Sequence, residues 1–216
     1  MLIYSAEMQR NLRLGMSDDR FRRYLDACSQ NEIAACRLYA WNTAVSGAFY
    51  GPLQALEVTL RNAIHEKLRH HHGRQWLSST SLLRSDELRM TREAGERLTD
   101  RGKTITDGRL VAELGMGFWV GLFTKAYDQS LWRPLLYRCF SPRPDRRDLY
   151  DDLDRLRTLR NRIAHHEAIY HRSLRDDFTR LESVLEALNP STWEWVEHHS
   201  RVLEVLGTKP ESLASF

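Results

Sequence analysis

The end of one predicted helix carries the residue types that metal-free cleavage of RNA requires. Arg160, Asn161 and His165 lie in the run Leu-Arg-Asn-Arg-Ile-Ala-His-His-Glu. A histidine transfers protons near neutral pH, an arginine neutralises charge on a phosphate in the transition state, and an amide orients either group. We therefore take these three residues as candidate catalytic groups.

Helical spacing places these side chains on two different sides of the helix. Asn161 and His165 are four residues apart and share a helix face. Arg160 is five residues from His165 and lies about 140° away around an ideal helix. The motif therefore requires a helix end or bulge near His165, or a second chain whose Arg160 faces this His165. In the alternative interpretation, Arg160 forms a surface ion pair with Asp154 or Glu167, and His165 caps or packs.

A second cluster repeats the pairing of arginine with asparagine. Arg61 follows Glu57 by four residues and His65 follows Arg61 by four, so these three residues occupy one helix face, and Asn62 follows Arg61 directly. The cluster either lines the same cleft and binds RNA, or forms a buried ion-pair network that holds its helix to the motif helix. We include Arg61, Asn62, His65 and His166 as candidate RNA-binding residues.

The histidine runs and the single tryptophans are weaker indications of a functional site. Residues 70–72 and 198–199 are histidines, but neighbours on a helix point about 100° apart and do not chelate one ion readily, so we predict no metal site and no cofactor. Trp41 and Trp119 lie in apolar stretches and are predicted to be core. Trp76 lies near a polar loop and is our candidate for a base-stacking platform.

The candidate residues are predicted to lie on helices, because apolar residues recur at spacings of three and four nearly throughout the sequence. We predict an all-α, HEPN-like helical bundle with additional helices, as a single domain over residues 1–216, with the motif helix at about 145–166. Gly51-Pro52 is expected to break a helix. The predicted helices cover residues 17–28, 31–50, 52–72, 85–100, 145–166, 171–188 and 192–206, and the apolar stretch 109–127 is predicted to be core.

Composition is that of an ordinary globular protein. Of the 216 residues, 42% are hydrophobic and 28% are charged, and no apolar run approaches the roughly 18 residues of a membrane span. The N-terminal residues lack a secretory signal pattern, so we expect a cytoplasmic protein with no membrane partner. The 28 arginines outnumber 4 lysines. Arginine suits bidentate phosphate contacts, although a GC-rich genome produces the same bias.

Several blocks together resemble one family. The segment 159–170 resembles the R-x(4–6)-H motif of the HEPN superfamily. Leu-Tyr-x-Trp-Asn at 38–42, Glu-x-x-x-Arg-Asn-Ala-Ile at 57–64 and Gly-Phe-Trp-Val at 117–120 resemble the Abi-like family of abortive-infection, bacteriophage-resistance proteins.

The resemblance implies an all-α, dimeric, metal-independent endoribonuclease that acts as a toxin or in phage defence. His165 would transfer protons, Arg160 would bind the phosphate, and Asn161 would position them. Cleavage would use the ribose 2′-hydroxyl and leave a cyclic phosphate, so DNA would not be cut. RNA, a second copy of the chain and a protein or RNA antitoxin are the implied partners. The rival hypothesis is a non-catalytic module that binds RNA or a protein in the same cleft.

Overall fold

The structure, a computed structural model, describes residues 5–210. Within that range the chain forms helices and turns without any strand, which confirms the predicted all-α class. Between these same residues, every helix is too short or too polar to span a lipid bilayer. The α-helices of this range are α1 (Ala6–Met16), α2 (Asp18–Ala27), α3 (Glu32–His72), α4 (Ser85–Asp100), α5 (Asp107–Glu113), α6 (Met116–Gly121), α7 (Arg146–Ala164), α8 (Leu174–Leu188), α9 (Pro190–His199) and α10 (Val202–Leu206).

Helix α3 is one continuous helix of 41 residues, so the predicted break at Gly51-Pro52 is wrong. A proline inside a helix lacks the main-chain donor and costs about 3 kcal/mol. The buried residues Val45, Phe49 and Leu53 keep a spacing of four across the proline, so one apolar face continues along α3. Each fully buried large side chain on that face contributes about 1.5–3 kcal/mol, which offsets the cost of Pro52.

Helix α3 is the centre of the bundle. It contacts α2, α6, α7, α8, α9 and α10, and its buried face belongs to one hydrophobic core that also includes Trp119. Trp41 is likewise buried, as predicted, and its indole N–H donates to the carbonyl of Val205 in α10 at 2.9 Å. The motif helix α7 therefore packs on a long, fixed support.

The apolar stretch 109–127 is core, as predicted, and it is broken into short helices. Helix α6 begins after Gly115, and a side chain at Gly121 would place its Cβ 3.1 Å from an oxygen of Glu87. The other Glu87 oxygen accepts a 2.6 Å hydrogen bond from the Tyr127 hydroxyl. A side chain at position 121 would therefore have to displace the Glu87 carboxylate by a few tenths of an ångström, so Gly121 allows this close approach between α6 and α4.

The C-terminal helices differ from the prediction. The expected single helix over 192–206 is two helices, α9 and α10, because Ser200 is extended with ψ 134 and its hydroxyl accepts from the N–H of Val202. Helix α8 is fixed by Asp177, whose fully buried carboxylate accepts hydrogen bonds from Arg155 at 2.6 Å and Arg172 at 2.9 Å. Since Arg155 belongs to α7, this ion pair joins α7 to α8.

Candidate functional site

A polar side chain caps the start of the motif helix, and main-chain hydrogen bonds close its end. The Asp145 side chain accepts from the N–H groups of Arg147 and Asp148, which satisfies donors at the helix start. Helix α7 ends at Ala164, and His165 is its C-cap residue. These bounds agree with the predicted motif helix to within two residues.

The turn after α7 places a histidine in a left-handed conformation. His166 has a φ of 55°. Its N–H donates to the carbonyl of Ile163 at 3.0 Å, and the N–H of Glu167 donates to that of Arg162 at 2.8 Å. Glycine usually occupies this position, because a Cβ in the left-handed region costs about 1–2 kcal/mol. Strain of this kind recurs at functional sites.

Arg160 binds a carboxylate of the central helix. Its Nε lies 3.1 Å from Glu57 Oε2, with the Arg160 side chain 40% exposed and that of Glu57 15% exposed. Asp154, a partner considered from the sequence, instead binds Arg157 at 2.7 Å, and Glu167 makes no ion pair within residues 5–210. An ion pair this exposed contributes about 1 kcal/mol or less, and it joins α7 to α3.

Asn161 and His165 occupy the other side of α7. The N–H of His165 still donates to the carbonyl of Asn161 at 2.9 Å, so His165 keeps its helical direction although the helix ends there. His165 is exposed and Asn161 is half-buried, and in the described part of the chain neither side chain has a hydrogen-bond partner. Arg160 of the same chain remains about 140° away around the helix axis. One chain therefore presents His165 and Arg160 in different directions.

The residues of the second cluster, on α3, also lie in different environments. Glu57 binds Arg160, as an ion-pair network between the two helices would require. Arg61 lies one turn later on α3, and its Nε is buried without a hydrogen-bond partner among residues 5–210. Asn62 is exposed. Arg61 thus keeps an unpaired guanidinium nitrogen beside the ion pair, and Asn62 faces solvent.

His65 is tied to a tryptophan of the loop after α3. Its Nδ1 accepts the indole N–H of Trp76 at 3.2 Å, and Trp76 is 0% exposed. The prediction of Trp76 as a base-stacking platform is therefore wrong, because the loop folds it against α3 and the core. Burial lowers the pKa of His65, which favours the neutral ring that accepts this hydrogen bond. This placement favours a structural role for His65.

The segment that carries His165 is held by residues that the sequence analysis missed. Asn42 of α3 is buried, and its side-chain oxygen accepts from the N–H groups of Ile169 at 2.8 Å and Tyr170 at 3.1 Å. The Tyr170 hydroxyl donates to the carbonyl of Arg23 in α2, and Lys209 donates to the carbonyl of Tyr170. An amide within the apolar stripe of a helix was the available signal for Asn42.

A hydrogen-bonded pair of basic residues lies at the same end of α7. Arg162 and His171 are joined by a 2.9 Å hydrogen bond between a guanidinium nitrogen and Nε2. Burial lowers the pKa of His171, and the charges of Arg162, Arg172 and Arg23 lower it further. The ring is therefore held neutral as an acceptor for Arg162.

The remaining histidine and cysteine residues form no further site. Residues 70–72 and 198–199 are exposed at helix ends, and within the described part of the chain the buried Cys28, Cys36 and Cys139 are free thiols. Across residues 5–210, no three His, Cys, Asp or Glu side chains are grouped so that they could hold a metal ion. Compared with protein-family models, curated proteins and solved structures, the chain has no significant match in any of the three.

Proposed function

We propose that this protein is a HEPN-type, Abi-like endoribonuclease that cleaves RNA without a metal ion, in phage defence or as a toxin. The observation that carries the proposal is the exposed His165 at the end of α7, on one face with Asn161 and one turn beyond Arg160. A free imidazole on a fixed turn is suited to proton transfer at a phosphate that arginine binds.

The reaction proceeds by transfer within the RNA. His165 accepts the proton of a ribose 2′-hydroxyl, the 2′-oxygen attacks the adjacent phosphorus, and the bond to the 5′-oxygen breaks. The products are a 2′,3′-cyclic phosphate and a 5′-hydroxyl, which takes up a proton. Asn161 orients the groups, and an arginine neutralises the phosphorane. DNA lacks the attacking hydroxyl and is not a substrate.

We infer that two chains complete the site. Within one chain Arg160 points to Glu57 in α3, whereas His165 lies about 140° away around α7. A two-fold interface at this end of α7 would place Arg160 of one protomer beside His165 of its partner. Light scattering that shows a strict monomer at high micromolar concentration would remove this composite site.

The test compares two exposed histidines. Wild type, His165→Ala and His198→Ala are incubated with labelled RNA in EDTA, and His198 serves as control because it is an exposed histidine at the end of another helix, α9. We expect cleavage by wild type and His198→Ala, and a loss of about 10²-fold or more in His165→Ala. Absence of cleavage by a wild-type protein that binds the RNA would overturn the enzyme proposal.

A second candidate function is a non-catalytic module that binds RNA or a protein. It is favoured by the ion pair with Glu57, which already occupies the Arg160 guanidinium. Arg160→Ala separates the two functions. If binding persists while cleavage is lost, the nuclease is supported, and if binding itself is lost and wild type has no turnover, the module is supported.

A further inference from the structure

A cleft of about 390 Å³ lies between α2 and the turn after α7. Arg20 and Arg23 of α2 form one wall, and His166 and Glu167 of the turn form the other. A guanidinium nitrogen of Arg20 donates to the carbonyl of His166 at 3.2 Å, and the carbonyl of Arg23 accepts from the Tyr170 hydroxyl. The two walls are therefore fixed relative to each other.

Arg23, which lines this cleft, and Arg162, which hydrogen-bonds to His171, both keep guanidinium groups free of carboxylates. Arg23 is exposed, and within residues 5–210 its guanidinium makes no ion pair or hydrogen bond. Arg162 is half-buried and its recorded partner in the same range is the neutral His171. The charged groups that perturb His171 are Arg162, Arg172 and Arg23, with no carboxylate among them. The guanidinium groups around His171 thus favour a positive potential there, which attracts anions.

The acidic residues of the cleft do not cancel this positive potential. Asp19 lies 3.4 Å from Arg22, which balances its charge. Arg172 is committed to the buried Asp177. Glu167 is the lining carboxylate without an ion-pair partner in the described part of the chain, and it opposes the two free arginines.

Arg162 is also better placed than Arg160 to act beside His165 of the same chain. Residues three apart on a helix are neighbours on one face, whereas residues five apart diverge by about 140°. Arg162 is three residues before His165, on the last turn of α7. A phosphate bound at Arg162 therefore lies on the His165 side of the helix.

We propose that Arg23, Arg162 and His171 bind a backbone phosphate of single-stranded RNA next to the phosphodiester presented to His165. The inference rests on the proposed ribonuclease function and adds a subsite that the arginine of the motif does not provide. Guanidinium groups bind a phosphate oxygen pair through parallel N–H donors, and the neutral His171, which accepts from Arg162 at Nε2, keeps its Nδ1–H as a further donor.

The experiment measures binding apart from cleavage. All binding variants carry His165→Ala, and the probe is a short fluorescein-labelled single-stranded RNA followed by anisotropy at several KCl concentrations. Arg23→Ala, Arg162→Ala and the double variant are compared with Arg92→Ala, which removes an exposed arginine of α4. Circular dichroism and thermal melting establish that each variant is folded.

The subsite predicts a weaker and less salt-dependent complex. Loss of both arginines, which hold one phosphate, should make the slope of log K against log salt shallower by about 0.7, since each neutralised phosphate of a single strand contributes about 0.7. The affinity of the double variant should fall at least about tenfold, whereas Arg92→Ala should change neither quantity. Glu167→Gln, which removes the opposing charge without touching the arginines, should tighten binding.

Failure of the subsite and failure of the ribonuclease function give different results. If the double variant binds with the affinity and salt slope of Arg92→Ala, or if Glu167→Gln leaves binding unchanged, the subsite is overturned even when wild type cleaves RNA. If wild type fails to cleave but the arginine variants lose binding as expected, the subsite stands and the ribonuclease function fails. If an arginine variant does not fold, the effect of Glu167→Gln on RNA binding is the test of the subsite.

Discussion

Replacement of Asn42 by alanine should destabilise the protein through the segment that carries His165. Asn42 is 6% exposed, and its one side-chain oxygen accepts both the N–H of Ile169 at 2.8 Å and that of Tyr170 at 3.1 Å. Alanine removes the acceptor and leaves two main-chain donors facing α3. Ile169 is 0% exposed, so water cannot replace its lost partner without local opening.

The size of the effect follows from these two donors. A buried donor left without a partner costs about 1–3 kcal/mol, and Tyr170, being half-buried, falls at the lower end. The expected loss in the free energy of unfolding is therefore about 2–4 kcal/mol. For a chain of this size that corresponds to a fall in Tm of roughly 5–15 °C.

Urea unfolding of wild type, Asn42→Ala and Asn42→Asp measures this loss. Aspartate keeps an acceptor oxygen with nearly the same shape, so it should recover part of the stability that alanine removes. The alanine variant should also cleave RNA less efficiently under conditions where it is folded, because residues 165–170 are no longer held to α3. A loss below about 0.5 kcal/mol would refute the anchoring role of Asn42.

Three further predictions test other parts of the structure. Asp177→Ala should lower the free energy of unfolding by about 2–4 kcal/mol in urea, because it removes a fully buried carboxylate that accepts from the partly exposed Arg155 and Arg172, and a change within about 0.5 kcal/mol would contradict that view. Since burial lowers the pKa of His65 below 6.5, its contribution to stability is complete above about pH 6.5 and is lost as the pH falls through the folded-state pKa. His65→Asn should therefore lose less stability than wild type between about pH 7 and pH 5, and identical slopes would exclude this role. A one-to-one mixture of Arg160→Ala and His165→Ala chains should recover about a quarter of wild-type cleavage if Arg160 serves its partner's His165, since half of the dimers are mixed and each has one intact site. An inactive mixture would place both groups in one chain.

Local patterns predicted where three of the helices begin. Ser17, Asn31 and Asp145 each begin a helix and accept N–H groups of its first turn, as the sequence indicated. The expected break at Gly51-Pro52 fails because the apolar period passes through the proline unchanged, so burial along α3 outweighs a local penalty.

The partners of the candidate site lie too far along the chain for spacing to reveal them. Glu57 and Arg160 are 103 residues apart, and Asn42 and Ile169 are 127 apart. Periodicity says which face of a helix is buried, but not which helix packs against it. The sequence offered an ion-pair network between the helix of Glu57 and the motif helix as one of two alternatives, but it did not identify Glu57 as the partner of Arg160.

The 3′ ends of the RNA products test the central claim most directly. Wild-type protein is incubated in EDTA with an RNA oligonucleotide, and with the same oligonucleotide carrying a 2′-deoxyribose at the cleaved position, and the products are weighed by mass spectrometry. We expect a 2′,3′-cyclic phosphate end from the RNA, no cut at the deoxyribose, and no product from His165→Ala. Cleavage at the deoxyribose, or undiminished cleavage by His165→Ala, would contradict the mechanism.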